Sequence, residues 1–198
     1  MPRPVNPQLR ENRRRALLDA AVVIFSRQGF ARTTVSEIAK AAGVSHASVF
    51  QYFATKEELF REAVLDNIEQ AREFYRNLKL DSEHPAERLR LLVHKQIRIA
   101  LNSAAYLRLV QQIVNQPQPD AELTQALDAF AGEFVRHLAE LLEEGQQAGA
   151  AAPGDAGAAA AAYFAYWNGV GLISRRSDDD TVRSLAEHGL RLLGVRVE

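Results

Sequence analysis

Gln51, His46 and Ser48 carry side chains suited to reading another molecule's hydrogen-bond pattern, and they crowd into one segment, TVSEIAKAAGVSHASVFQYF (residues 34–53). A glutamine amide pairs bidentately with adenine, while imidazole and hydroxyl groups donate or accept at base edges. Lys56, just beyond, is a point charge suited to phosphate. Arg10, Arg13, Arg14 and Arg15 form a basic cluster that either reaches a nucleic-acid backbone or minor groove or stays a solvated tail. Bond-making chemistry has no comparable support. The histidines (His46, His84, His94, His137, His188) show no HExxH spacing, and no glycine-rich phosphate loop or nucleophile motif is present. The expectation is a protein that is not an enzyme.

Two short helices with a sharp turn between them would present these side chains. Gly43 falls where the chain must turn abruptly, and glycine adopts a left-handed backbone there without steric cost. Ala39 is small enough to let a second helix cross closely, and Ile38, Ala42, Val44 and Val49 fall where the helices would face each other. Thr34 and Glu37 have the spacing of a capping box, and Ser45 is placed to cap the next helix. The alternative is an ordinary structural corner. Caps, turn glycine, small crossing residue and apolar spacing together favour a helix-turn-helix that enters a DNA major groove.

Charge distribution supports that reading better than total charge does. The whole chain carries a formal net charge of -1, but residues 1–56 hold 9 Lys/Arg and 3 Asp/Glu, a net of +6. The remainder holds 15 and 22, a net of -7. A basic front on an acidic body suits one end to phosphate and leaves the other free for a different task. The 198 residues suffice for a well-buried core in one or two small domains. No apolar run is long enough to span a bilayer, and the opening MPRPVNPQLRENRRR has no apolar signal segment. Cysteine is absent, which excludes disulfides and thiolate metal sites and is compatible with a reducing cytoplasm, the expected location.

Apolar residues recur at helical spacing throughout, so the expected fold class is all-α, with about nine helices. A first stripe of Leu17, Ala20, Ala21, Ile24 and Phe25 ends at Gly29. Thr55 and Glu58 form a second capping box, opening a linker helix expected over residues 56–80. Pro85 starts another helix, and the run Gln116-Pro117-Gln118-Pro119 breaks the chain before a helix capped by Asp120 and reaching about Gln147. Residues 148–157 read as a loop, followed by an Ala-rich helix through Ser174 and a last helix over about 180–193. The expected division is a helix-turn-helix domain over 1–55 and a helical body over 56–198 that binds an effector and dimerises. Small residues in the penultimate helix (Ala158 to Ala162, Gly169, Gly171) and leucines in the last (Leu185, Leu190, Leu192, Leu193) favour a homodimer through those two helices, the alternative being burial of the same residues within one chain. Asp178-Asp179-Asp180 reads as a solvated helix start rather than a metal site.

The order of a basic helix ending FSRQGF, then TTVSEIAKAAGVSHASVFQYF, then TKEELF resembles the TetR family of transcriptional regulators over roughly the first sixty residues. Beyond them the likeness rests on helix count and the aromatic, glycine-containing YFAYWNGVG. The resemblance implies an all-helical homodimer with two DNA-binding heads, a three-helix domain in each, and a body that binds an effector. Carried residue by residue, it places His46, Ala47, Ser48 and Gln51 on the base-facing side of the recognition helix, with Ser45 and Phe50 beside them. Thr34, Tyr52 and Lys56 occupy positions that usually hold phosphate, and Arg14 joins the DNA-binding set. Two departures stand out: Phe50 replaces the commoner tyrosine, and Ala47 replaces the usual glycine, adding a methyl able to touch a thymine methyl.

Polar residues on apolar helix faces suggest where an effector would bind, since burial without a partner is costly. Asn67 lies in the stripe containing Phe74; Gln96 and Ser103 align with leucines; His137 lines up with Phe134; Tyr163 and Trp167 share a face. Each has an alternative as a satisfied core residue. The set carries no Lys or Arg, so the expected effector is small and largely apolar or aromatic. The expected function is a repressor released by that effector from a near-palindromic operator, with no cofactor, metal or membrane partner. The alternative is a relative regulated by a protein partner without a small molecule.

Overall fold

Caps and breakers set the helix boundaries in the computed structural model, which describes residues 7–78, 82–116, 120–174 and 177–196. Among the described residues there are nine helices: α1 (Pro7–Arg32), α2 (Val35–Ala41), α3 (His46–Val49), α4 (Lys56–Arg76), α5 (Pro85–Asn102), α6 (Ala104–Val114), α7 (Ala121–Gln147), α8 (Ala156–Ile173) and α9 (Asp179–Leu192). The all-α expectation holds. The sole extended pairing among these residues is a bridge between Ala151 and Val195. The linker helix ends at Arg76, short of the expected Leu80, which with Lys79 and Asp81 lies outside the described residues. The expected breaker Pro117–Pro119 lies outside them too.

The chain forms two compact units: the described parts of Met1–Tyr75 with Arg108–Ala126, and of Arg76–Leu107 with Leu127–Glu198. The first therefore takes in nearly all of α4. Its core draws Leu17, Leu18, Ala21 and Phe25 from α1, Ile38 from α2, Val49 from α3 and Leu59, Ala63 and Val64 from α4. Phe25 meets the Phe60 ring edge-on at 5.0 Å and stacks on Phe30 at 5.8 Å, so aromatic edges and faces close this small core. Gly29 interrupts α1 with φ 76, a left-handed conformation that glycine adopts without strain. Asp120 opens α7 as expected, its Oδ1 accepting from the amides of Glu122 and Leu123 at 3.0 Å each.

In the second unit α5, α8 and α9 pack on one another. Leu89, Leu92, Val93, Gln96, Ile97 and Ala100 form the buried stripe of α5 at three-and-four spacing. Close approach explains one glycine: a Cβ on Gly171 would stand 2.8 Å from the Ala100 carbonyl oxygen. Asp155 and Asp178 cap α8 and α9, each accepting from an amide three residues on. The cap also accounts for the aspartate run 178–180 as a helix start. Leu190 and Leu193 are buried within the unit, whereas Leu192 is 50% exposed.

Candidate nucleic-acid interface

Local hydrogen bonds build the turn between α2 and α3. Thr34 Oγ1 accepts from the Glu37 amide at 3.3 Å, and Glu37 Oε2 accepts from the Thr34 amide at 2.9 Å, completing the capping box. The Thr34 hydroxyl also donates to Glu37 Oε2 at 2.8 Å, so Thr34 acts chiefly as a cap in this arrangement. The Thr34 amide above all, and then its hydroxyl, hold the Glu37 carboxyl below its usual pKa of 4.5. At the other end of α2, Gly43 has φ 69; its amide donates to Lys40 O, and the Val44 amide to Ala39 O. That pair of bonds is a Schellman closure, which needs a residue at ease with positive φ.

Ser45 caps α3, accepting from the Ser48 amide at 3.1 Å, and its hydroxyl lies 2.7 Å from that of Ser48. Both serine hydroxyls are thus engaged with each other. Val49 is 1% exposed and anchors the helix, while His46, Ala47, Phe50 and Gln51 face solvent. The His46 and Phe50 rings meet edge-on at 5.1 Å. Tyr52 is half-buried, with the Arg10 guanidinium carbon 6.0 Å from its ring centre. Four of the candidate residues therefore form one open face, with Tyr52 and Arg10 beside the same short segment.

Three basic side chains are turned to internal work. Arg14 donates to Glu62 at 2.7 Å and to Asp66 at 3.2 Å, tying α1 to α4. Arg15 pairs with Asp66 at 3.3 Å. The Lys56 ammonium donates to Phe30 O at 3.0 Å and Thr33 O at 3.1 Å. The Arg14 charge is matched by two carboxylates and the Lys56 charge by two carbonyl dipoles. Arg10 and Arg13 remain exposed on α1. Arg10 beside Tyr52 was not singled out from the rest of the arginine cluster in sequence, because nothing local relates residue 10 to residue 52.

The effector candidates divide between the units. In the second unit Gln96, Phe134, Tyr163 and Trp167 are all buried. The Trp167 indole N–H donates to the Gln96 carbonyl at 2.8 Å, and the Phe134 ring lies 5.5 Å from Trp167 and 6.5 Å from Tyr163. Phe164, which sequence reasoning left out, stacks on Trp167 at 6.1 Å. Ser103 is the half-buried C-cap of α5. His137 is exposed, a correction to its expected alignment with Phe134: the buried stripe of α7 runs through Leu138, Leu141 and Leu142 and leaves His137 at its edge. Asn67 and Phe74 are half-buried on α4 in the first unit, where Asn67 Nδ2 donates to Ala63 O at 2.9 Å, as a satisfied helical asparagine does. Among the described residues no group of acidic or histidine side chains could hold a metal, and no helix is long and apolar enough to cross a membrane.

Comparison with known proteins bears on both parts of the chain. Residues 17–63 match the model described as "Bacterial regulatory proteins, tetR family", and residues 82–172 match "Tetracyclin repressor-like, C-terminal domain". The Fatty acid metabolism regulator protein of Bacillus subtilis (strain 168) is 31% identical over 137 residues, 67% of this chain and 68% of that protein. Two solved structures share the fold. FadR from Bacillus subtilis in complex with stearoyl-CoA superposes with a TM-score of 0.68 at 23% identity, covering 93% of this chain and 99% of the other. AibR in complex with isovaleryl coenzyme A and operator DNA gives 0.70 at 22%, covering 93% and 100%. The capped helix-turn-helix, its open face on α3 and the matches along both units lead to one conclusion: the chain is a DNA-binding transcriptional regulator that belongs to the TetR family.

Proposed function

We propose that the protein is a repressor that binds a near-palindromic operator as a homodimer and leaves it when a small effector with a largely apolar body occupies the second unit. The observation that carries the DNA half is the exposed set of His46 and Ala47 on α3, Phe50 at its C-cap and Gln51 in the turn after it, on a segment fixed by Ser45 and Val49. Support for dimerisation through α8 and α9 comes from Ile173, 80% exposed, and Leu192, 50% exposed, at the ends of those helices. A two-fold assembly would present two copies of α3 to successive half-sites.

Support for an apolar effector comes from the buried rings of Phe134, Tyr163 and Trp167, with half-buried Phe164 stacked on Trp167 and the Trp167 indole bonded to the Gln96 carbonyl. The two coenzyme A thioesters held by the structural relatives make acyl thioesters the first probes, since an acyl chain offers such a site an apolar body. Release requires the effector to prefer a head spacing that fits DNA poorly, because a ligand shifts an equilibrium only by its differential affinity. A mobility-shift titration tests the proposal. Stearoyl-CoA or isovaleryl-CoA, or a neutral aromatic analogue, is expected to weaken operator binding by about tenfold or more. Operator affinity unmoved by acyl thioesters and by apolar or aromatic small molecules would overturn the effector half and favour regulation by a protein partner.

A further inference from the structure

Phe50 leaves 46% of its surface in water, although the same short segment buries Val49 and Phe53 to 1% and 2%. It sits at the C-cap of α3, and its ring is held edge-on to the His46 imidazole at an interplanar angle of 66°. Ala47 is exposed on the same helix. The Ser45 and Ser48 hydroxyls lie 2.7 Å apart, so one O–H is spent on the other oxygen and the second stays able to donate. Outward, α3, its C-cap and the residue after it offer two apolar groups, Ala47 and Phe50, beside the His46 imidazole, the Gln51 amide and one serine O–H.

Residues 1–56 carry a net charge of +6, which suits this end of the chain to a phosphate-lined surface. Within a major groove, the apolar group that a base pair displays is the C5-methyl of thymine. We infer that Phe50 and Ala47 are sequence-determining residues that read thymine methyls, with the Gln51 amide reading a neighbouring adenine. The operator half-site would then be A·T-rich at the positions under α3, with apolar contact to thymine methyls setting part of the choice. This rests on the proposal that α3 reads DNA.

Deoxyuridine isolates the methyl, because it pairs like thymine and differs only in lacking that group. An operator recovered by selection from random duplexes is remade with each half-site thymine replaced in turn by deoxyuridine. The full-length protein is expected to lose about fourfold in affinity at one or two positions, the worth of one buried methyl group. In Phe50→Ala the penalty at one of those positions should vanish, with the salt dependence of binding unchanged. Phe50→Tyr, which keeps the ring, should retain it. Sequence-specific binding that tolerates deoxyuridine at every position would overturn the methyl-reading inference alone. Failure to bind any duplex in a salt-sensitive way would overturn the DNA-reading proposal beneath it as well.

Discussion

The Lys56 ammonium donates to the Phe30 carbonyl at 3.0 Å and lies 4.3 Å from the centre of the Phe30 ring, so the first residue of α4 clasps the last part of α1. A second bond to the Thr33 carbonyl draws the entry to α2 into the same clasp. The start of the linker helix and the corner that leads to the helix-turn-helix are thereby tied through one side chain. Lysine is well matched to this task, since a compact ammonium satisfies two carbonyls and still faces an aromatic ring.

Replacing Lys56 with methionine keeps the stem but removes both bonds. It should lower stability by about 1–2 kcal/mol, read by chemical denaturation. Operator affinity should fall with it, while the slope of log affinity against log salt stays as in the wild type. A slope lower by about one would instead assign the ammonium to a phosphate.

Arg14 and Arg13 should separate in the same measurement. Arg14 is held by Glu62 and Asp66, so Arg14→Ala should cost about 1 kcal/mol of stability and leave the salt slope unchanged. Arg13 is exposed on the same helix, and Arg13→Ala should lower the slope by about one with no loss of stability. The opposite pattern would return Arg14 to the DNA-contacting set.

Acid should loosen the α2 cap. The Glu37 pKa is lowered from 4.5 by the Thr34 amide first and then by the Thr34 hydroxyl. A depressed carboxylate contributes stability that is complete above its unfolded pKa and is lost as pH falls through the folded one. Melting temperature should therefore decline more steeply below about pH 4.5 in the wild type than in Glu37→Gln, which has no charge to lose. Parallel acid profiles for the two proteins would remove Glu37 from the account of the turn.

Ile173 provides the test of dimerisation. At 80% exposure on the last residue of α8, it has little to lose within its own chain. Ile173→Glu should weaken self-association by about tenfold or more while leaving the helical circular-dichroism signal intact. Sedimentation velocity reads both species, and an unchanged dimer would place the interface elsewhere.

The features legible in the sequence were those decided by neighbours. Thr34, Glu37, Gly43 and Ser45 set the α2–α3 corner within a few residues of one another, and each does what its type and spacing implied. Asp120 likewise announced the start of α7. Partnerships across the chain were not legible. Nothing in the run Arg13-Arg14-Arg15 says which guanidinium meets Glu62, because that depends on how α1 lies against α4. Lys56 and Phe30 are far apart in sequence, so the clasp left no local signal. His137 shows the limit of spacing alone: on a helix as long as α7, a residue near the edge of the apolar stripe falls to either side, and here it falls to solvent.

Selection of bound sites from random duplex DNA tests the central claim most directly. If α3 reads DNA as part of a two-fold assembly, the recovered sites should contain two inverted half-sites with centres about 10 base pairs apart or a multiple of that. Repeating the selection with Gln51→Ala should return half-sites with one adenine position relaxed. Recovery of no shared sequence, or of the same unrelaxed half-site with Gln51→Ala, would contradict the assignment of His46, Ala47, Phe50 and Gln51 as the reading face.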